Sequence, residues 1–326
     1  MKTIIQKEQG GKLFIEEQPI PKPQQGEVLV KMSYAPINPS DLSQLNGTYA
    51  NKPQYPFTPG IEGSGKVIES GGGVIANLRK GKEVACTSTK GKSGTWAKYI
   101  VTQATNVIPL PKNINNMQGA MLIVNPLTAI AFIQIAKKGK HKTIVNNAAA
   151  STLGKMLIKL CKNEHINLIN IVRREKHVEE LKSIGAKYIL NSNDTDYQQK
   201  LAMLAGELEA SLFFDAVTGE ETNKIIHAAP KNSKVMLYAN LSDEQFSIDS
   251  REILQKNITI NGFFLGNWTS EQNILKTLAS INKAKKLLKN ELHTNVQQTF
   301  AIDQVNEAIE FYKNNMSKGK VLLNFE

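Results

Sequence analysis

Cysteine is almost missing from this chain: Cys86 and Cys161 are the only two in 326 residues. Two thiols cannot make a disulfide framework or a multi-cysteine zinc site, so a small disulfide-rich secreted scaffold is excluded. Cys161 falls on an apolar helical face and reads as a small core residue. Histidine is scarce too, with five residues scattered along the chain, and no histidine–cysteine cluster has ligand spacing. No metal is expected. Long hydrophobic runs are also lacking. The most apolar stretch, residues 121–136, is broken by Asn125, Pro126, Thr128 and Gln134 and is too short to span a bilayer. The first dozen residues hold no apolar signal core, so no targeting segment is read there. A cytoplasmic chain with no membrane partner is the expectation.

Acidic residues are in deficit. Forty Lys and Arg against 29 Asp and Glu leave a formal charge of +11. Most charge runs are solvated faces, and that is the first reading of Lys137–Lys142 and Lys283–Lys289. The sharper reading is attraction to an anionic partner: a phosphorylated cofactor, a coenzyme A ester, an acidic carrier protein or a nucleic acid. Charge alone does not choose among them, and nucleic acid is not the expected partner.

What is present is enough for two domains: a hydrophobic content of 41% and a charged content of 21%, as in soluble globular proteins. Residues 1–120 are proline-punctuated and strand-rich. EVLVKMSY alternates around Val28, Val30 and Met32 as a half-buried strand should. GSGKVIES and KEVACTS read as further strands, with no long amphipathic helix before residue 116. From about residue 120 helices alternate with apolar strands: Ile144–Val145, 166–172, 187–190, 211–217, 234–240 and 258–265. Helices fall between them, one from Glu175 to Ile184 with Gly185 as its C-cap. Such spacing demands right-handed crossovers and a doubly wound parallel sheet of Rossmann type, with its binding crevice at the carboxyl ends of the strands. A basic helix at 270–290, a C-terminal helix and the strand VLLNF close the chain.

The stretch 144–162 organises this second half. A short strand, a turn of small residues and a helix follow one another. The helix carries Leu153, Met156, Leu157, Leu160 and Cys161 on one face and Lys155, Lys159 and Lys162 on the other. The first N–H groups of a helix lack internal partners and its dipole favours negative charge, so such a turn can hold a dinucleotide pyrophosphate. Ala148, Ser151, Thr152, Leu153 and Gly154 are the candidate contacts. Only Gly154 remains of the usual glycines, and an ordinary strand-to-helix turn is the other reading of the turn alone. Arg173 and Arg174 end the next strand about twenty residues further on, where the unit places the residue that reads the ribose. Arginine there pairs with a 2′-phosphate, which points to NADPH.

The stretches APINPSDLSQLNGTY (35–49), PGIEGSGKV (59–67), SGTWAKY (93–99), VNPLTA (124–129), NAAASTLG (147–154), NIVRRE (170–175) and GFFLGNW (262–268) occur in the order seen in the zinc-free medium-chain dehydrogenase/reductases. The chain resembles that family over nearly its whole length. It is most similar to the mitochondrial-type trans-2-enoyl thioester reductases, and next to the quinone oxidoreductases. The resemblance implies an α/β chain with a GroES-like catalytic domain at 1–120, an NADP-binding Rossmann domain at 121–265 and a return to the catalytic domain at 266–326. Zinc-dependent relatives carry a ligand histidine in a PGHE-like motif, and here Ile61 stands in its place. Relatives also use alanine-rich versions of the pyrophosphate turn, whereas Ser151 stands where they usually have glycine.

The resemblance further implies an NADPH-dependent reductase that delivers hydride to the carbon–carbon double bond of a 2-enoyl thioester carried by coenzyme A or acyl carrier protein. Tyr49 matches the catalytic tyrosine, whose phenol donates to the enolate oxygen or relays the proton. Asn38 and Thr128 match contacts to the nicotinamide half, although Asn38 in its Pro-flanked turn could equally bond its own backbone. Tyr238, at a strand end, and Phe264 complete the cofactor-binding set. Trp268 matches an aromatic of the acyl pocket, with core packing as its other reading. A homodimer paired through the dinucleotide domain is implied. The alternatives are an NADPH:quinone oxidoreductase and a non-enzymatic NADPH-responsive binding protein.

Overall fold

The computed structural model describes residues 1–49, 52–89 and 93–326. In chain order, seven strands come first: β1 (Lys2–Gln6), β2 (Leu13–Glu17), β3 (Glu27–Pro36), β4 (Glu62–Ser70), β5 (Glu83–Thr87), β6 (Tyr99–Gln103) and β7 (Val107–Pro109). Among and after them lie the short helices α1 (Pro39–Leu45), α2 (Val74–Arg79) and α3 (Asn116–Gly119). Then helices and strands alternate: α4 (Val124–Lys138), β8 (Thr143–Asn146), α5 (Thr152–Asn163), β9 (Asn167–Val172), α6 (Glu175–Ser183), β10 (Tyr188–Asn191), α7 (Tyr197–Glu207), β11 (Leu212–Asp215), α8 (Glu220–Ala228), β12 (Lys234–Leu237), α9 (Ser250–Lys256) and β13 (Thr259–Gly262). The chain closes through α10 (Leu265–Ser270), α11 (Ile274–Leu287), β14 (Val296–Ala301), α12 (Val305–Asn315) and β15 (Lys320–Asn324). It divides into two compact units, Met1–Pro126 with Lys283–Glu326, and Leu127–Asn282.

The first unit is built on a sheet in the order β14-β15-β3-β4-β5-β7, with β6 also paired to β3. β15 pairs antiparallel with the end of β3, Leu323 opposite Ala35, so the last strand of the chain sits beside one of the first. β3 departs from the half-buried strand that alternation predicts. Leu29 is buried as well as Val28, Val30 and Met32, so β3 is covered on both faces over Glu27–Val30. Trp96 lies in this core without exposed surface. Gly60 is required beside it: its φ is +101°, and a Cβ there would meet the Trp96 ring at 2.4 Å.

The second unit holds the parallel sheet that the alternation predicts, in the order β10-β9-β8-β11-β12-β13. From β8 the chain first winds outward through β9 and β10, then crosses to β11 and winds the other way. The order therefore reverses between β8 and β11, and ligands of open α/β sheets bind at the carboxyl ends of strands beside such a reversal. β8 and β11 are buried throughout, as strands covered on both faces must be. α5 buries the predicted stripe, with Ile158 added to it.

Helix ends follow local chemistry. α6 stops with Ile184 as its cap residue rather than Gly185. Gly185 follows at φ +95°, its N–H bonded to the Lys182 carbonyl at 2.9 Å while the Ala186 N–H reaches Leu181 at 3.0 Å, the 6→1 and 5→2 pattern of a Schellman ending. The basic helix expected over 270–290 is two helices, α10 and α11. The Asn273 side chain accepts the Lys276 N–H at 2.9 Å and so starts a new helix after α10 has closed. The strand expected over 258–265 ends at Gly262 because Phe264 already stands at the N-cap of α10. Residues 121–136 contribute most of α4, and among the described residues no helix is long and apolar enough to cross a membrane.

Candidate functional site

At the carboxyl end of β8 the chain turns through Asn147, Ala148, Ala149 and Ala150 into α5. Ala148 has φ +49°, the left-handed region that glycine adopts more easily. Ala149 donates its N–H to the Ile171 carbonyl at 3.1 Å, which fixes the turn against β9. Ser151 needs no glycine. Its backbone is extended, with φ −68°, and its Oγ accepts the Gly154 N–H at 3.1 Å as the N-cap of α5. Gly154 is the glycine that close approach demands, since a Cβ there would lie 2.3 Å from the Ala149 carbonyl oxygen. The N–H groups of Thr152 and Leu153, in the first helical turn, have no partner within the helix and stand at the positive end of its dipole. The turn thus has the donor chemistry of an anion cradle.

Arg173 and Arg174 are both exposed, just past the end of β9. The Arg173 carbonyl accepts from the Asn193 side chain at 2.8 Å, which pins this corner to the segment after β10. Tyr238 follows β12 and returns to β8: its hydroxyl donates to Asn146 Oδ1 at 3.2 Å. Its ring meets Phe132 edge-on at 5.0 Å, while Phe132 stacks on Phe214 at 3.8 Å and meets Phe263 at 4.9 Å. Burial pushes the Tyr238 phenol above its usual range. Thr128 is buried on α4, and Phe264 and Trp268 are half-buried at the start of α10 and within it. The turn residues, Arg173 and Tyr238 are thus tied to β8 or β9, whereas Thr128, Phe264 and Trp268 sit on the helices that flank the aromatic cluster.

A carboxylate holds the same strand ends together. Asp215 Oδ1, at the end of β11, accepts from Asn147 Nδ2 at 2.5 Å and from the Val217 and Thr218 N–H groups at 2.9 Å each. Its Oδ2 accepts from Thr222 Oγ at 2.6 Å. Asn147 Oδ1 in turn takes the Ala216 N–H at 2.7 Å. This buried network locks the loops after β8 and β11 to each other.

In the first unit, Tyr49 and Asn38 bracket α1. The Tyr49 ring is half-buried, and its backbone N–H donates to the Ser43 carbonyl in the last turn of α1 at 3.1 Å. Burial, and then the nearby Asp41 charge, push its phenol up to about 12, so Tyr49 keeps its proton across the neutral range. Asn38 is the N-cap of α1 and is buried. Its Nδ2 donates to Glu62 Oε1 at 3.1 Å, and its Oδ1 accepts from the Lys320 ammonium. The other side of Glu62 takes the Ile123 and Val124 N–H groups at 3.1 and 2.9 Å. Asp41 accepts the Asn38 N–H on one oxygen at 2.8 Å and the Ile61 N–H on the other at 3.0 Å. Burial first, then the charge of Glu62, push Asp41 up to about 7, against the pull of the Asn38 N–H, then of Lys320 and the Ile61 N–H. Glu62 is raised mainly by burial, and Lys320 is lowered by burial against the pull of both carboxylates. Among the described residues no three His, Cys, Asp or Glu side chains are gathered as metal ligands.

Asp41, Glu62, Lys320, Asn147 and Asp215 stand outside the residues to which the sequence points. Two of them leave a trace. Asp215 is a lone acid closing the apolar strand LFFD, and Lys320 opens the apolar strand KVLLN. A charged residue that begins or ends a fully buried strand must be paired, and this was the available signal. A surface cavity of about 460 Å³ lined by Gln198, Glu220, His227, Asp249 and Glu252 includes none of the residues predicted from the sequence.

Residues 24–112 match the alcohol dehydrogenase GroES-like domain, and residues 152–280 match the zinc-binding dehydrogenase domain. A Caenorhabditis elegans protein named mitochondrial enoyl-[acyl-carrier-protein] reductase is 29% identical over 286 residues, 84% of this chain and 81% of its own length. An Arabidopsis thaliana protein of the same name is 27% identical over 251 residues, 76% of this chain and 66% of the relative. A Mesorhizobium loti crystal structure bearing the name NADPH:quinone reductase superposes with a TM-score of 0.91 at 30% identity, covering 99% of this chain and 98% of that one. With both domains in this order and likeness along its whole length, the chain belongs to the medium-chain dehydrogenase/reductase family.

Proposed function

We propose that this protein is an NADPH-dependent oxidoreductase that reduces the carbon–carbon double bond of a 2-enoyl thioester. The observation that carries the cofactor half is the turn between β8 and α5, with its Ser151-capped helix, followed by two exposed arginines at the end of β9. Helix N–H groups suit the pyrophosphate, and a guanidinium suits a 2′-phosphate. Ala148, Ser151, Thr152, Leu153 and Gly154 hold the first, and Arg173 and Arg174 the second. Asn38, Thr128, Tyr238 and Phe264 serve the nicotinamide half, Asn38 and Tyr238 by positioning their neighbours, since their polar atoms are engaged within the protein.

The names of the enoyl-reductase relatives support the acceptor. NADPH held by these residues would supply hydride to the β-carbon. Negative charge then gathers on the thioester oxygen, the Tyr49 phenol, held protonated by burial and by Asp41, donates a hydrogen bond to it, and a proton delivered to the α-carbon restores the thioester carbonyl and completes the reduction. Trp268 shapes the acyl pocket. The Mesorhizobium likeness supports a second reading, an NADPH:quinone oxidoreductase. NADPH oxidation with crotonyl-coenzyme A and with an ortho-quinone separates the two. Turnover of the thioester alone supports the first, turnover of the quinone alone replaces it with the second, and turnover of neither rejects both. Arg173→Ala is expected to weaken NADPH about tenfold or more, the worth of a charge-assisted hydrogen bond, and to leave NADH nearly unchanged. Equal weakening of both would remove the 2′-phosphate assignment.

A homodimer accompanies this reading. β13 is an edge strand of the parallel sheet, with Thr259, Asn261 and Gly262 exposed, and an unpaired strand edge is a template for a second copy. Sedimentation of wild type against Asn261→Pro tests it, a shift to monomer being the expected result. The cytoplasm is the compartment proposed, and cell fractionation checks it against the mitochondrial names of the relatives.

A further inference from the structure

The buried cluster of Asn38, Asp41, Glu62 and Lys320 holds two carboxylates, one ammonium and one amide, and all four residues are at most 3% exposed. Charges at such depth are costly unless paired, and the proposed chemistry gives none of the three charged groups a bond to substrate or cofactor. The connectivity shows what they hold. Lys320 fixes the oxygen end of the Asn38 amide, Glu62 its nitrogen end, and Asp41 the Asn38 backbone. The other Asp41 oxygen holds the Ile61 N–H. α1 leads from this clamp to the Ser43 carbonyl that anchors the Tyr49 N–H. Both oxygens of Asp41 thus face N–H donors. Protonating either one turns an acceptor into an O–H donor opposite a donor, and one side of the clamp opens.

We propose that Asp41 and Lys320 are positioning residues for Tyr49: Asp41 clamps the start of α1 to the segment before β4, and Lys320 fixes the Asn38 amide in the same clamp. This rests on Tyr49 as the donor of the proposed reaction. Burial alone would favour neutral Asp41 at neutral pH, and Glu62 adds repulsion. The opposing cation is Lys320, on β15. The other titratable groups facing the cluster are Tyr49, the Tyr312 phenol on α12, which burial and then Asp41 raise, and the Cys86 thiol, which burial and then Glu62 raise. Both phenols and the thiol are neutral at neutral pH. The charge balance at Asp41 therefore lies between Glu62 and Lys320.

The test follows the amide resonances of Asn38 and Ile61 by NMR from pH 5 to 9, and the pH profile of kcat with the acceptor that wild type turns over. In wild type both amides should titrate with one midpoint near 7, and kcat should fall on the acid side of the same midpoint. Lys320→Met should move the amide midpoint upward by about one pH unit or more, a tenfold change in proton affinity, while Lys320→Arg leaves it in place. Asp41→Asn mimics the opened clamp. It should lower kcat about tenfold or more at every pH and abolish the acid limb, with the NADPH dissociation constant within about twofold of wild type. An unmoved midpoint in Lys320→Met, or an acid limb retained in Asp41→Asn, would overturn the proposal. If Lys320→Met does not fold, the Asp41→Asn profile decides alone. The amide titration needs no acceptor, so a wild type inactive on both acceptors would reject the reading of the reaction while the clamp is still judged.

Discussion

Among the described residues, the buried polar networks around Asp215 and around Asp41 differ in what their carboxylates face. In the second unit Asp215 accepts four hydrogen bonds, two from backbone N–H groups and two from Asn147 and Thr222. In the first unit Asp41 accepts two backbone N–H bonds, shares its surroundings with Glu62 and is pushed up to about 7. The saturated carboxylate acts as a staple between two loops. The crowded one lies at the edge of protonation. A fold gains rigidity from the first arrangement and a titratable element from the second, and here the titratable one lies on the segment that leads to Tyr49.

The contrast can be broken most severely at Asp215. Asp215→Ala leaves four donors without their acceptor and is expected to cost about 3–5 kcal/mol, as for removing one partner of a buried charged network. Urea unfolding measures it, and a loss below about 1 kcal/mol would mean that the network is not a staple. The next effect is kinetic. Tyr49→Phe removes the proposed donor and should lower turnover about 100-fold, the usual scale for one oxyanion donor, with NADPH affinity unchanged. Unchanged turnover would take Tyr49 out of the chemistry.

A third prediction concerns pH. The folded-state affinity of Asp41 for its proton is higher than that of the unfolded chain, so between about pH 4 and pH 7 the folded state binds more protons. Stability contributed by Asp41 is therefore present at acid pH and declines as pH rises through that window. Asp41→Asn should flatten the decline in urea midpoints between pH 5 and 8, and an unchanged slope would assign the decline to other groups. Stability and the proposed activity then run in opposite directions at Asp41, because ionisation costs burial energy and yet closes the clamp. The smallest effect is at the turn. Ser151→Ala should cost about 1 kcal/mol as a lost N-cap and Ser151→Gly only a few tenths, both read from thermal unfolding.

Much of the second unit was legible in the sequence. Its strands are short apolar runs and α5 repeats its stripe at helical spacing, so the parallel sheet and the turn after β8 follow from neighbours in the chain. The ends of elements were less legible. Asn273 splits a helix and Phe264 stops a strand through cap geometry, which periodicity does not report. At the turn, composition drew attention to Ser151, yet the strained backbone is at Ala148 and the serine is a cap.

The sequence by itself determined which segments become strands and helices, the small-residue turn that leads into the α5 N-terminus and the arginine pair beyond β9. Each depends on residues a few positions apart, or on a spacing counted along one βαβ unit. The tertiary structure alone decided the cluster beneath Tyr49. Lys320 and Asn38 are separated by 282 positions, and nothing local to either announces the other. Whether a carboxylate holds its proton depends on how much water packing removes and which charges packing brings near, and both are properties of the folded chain.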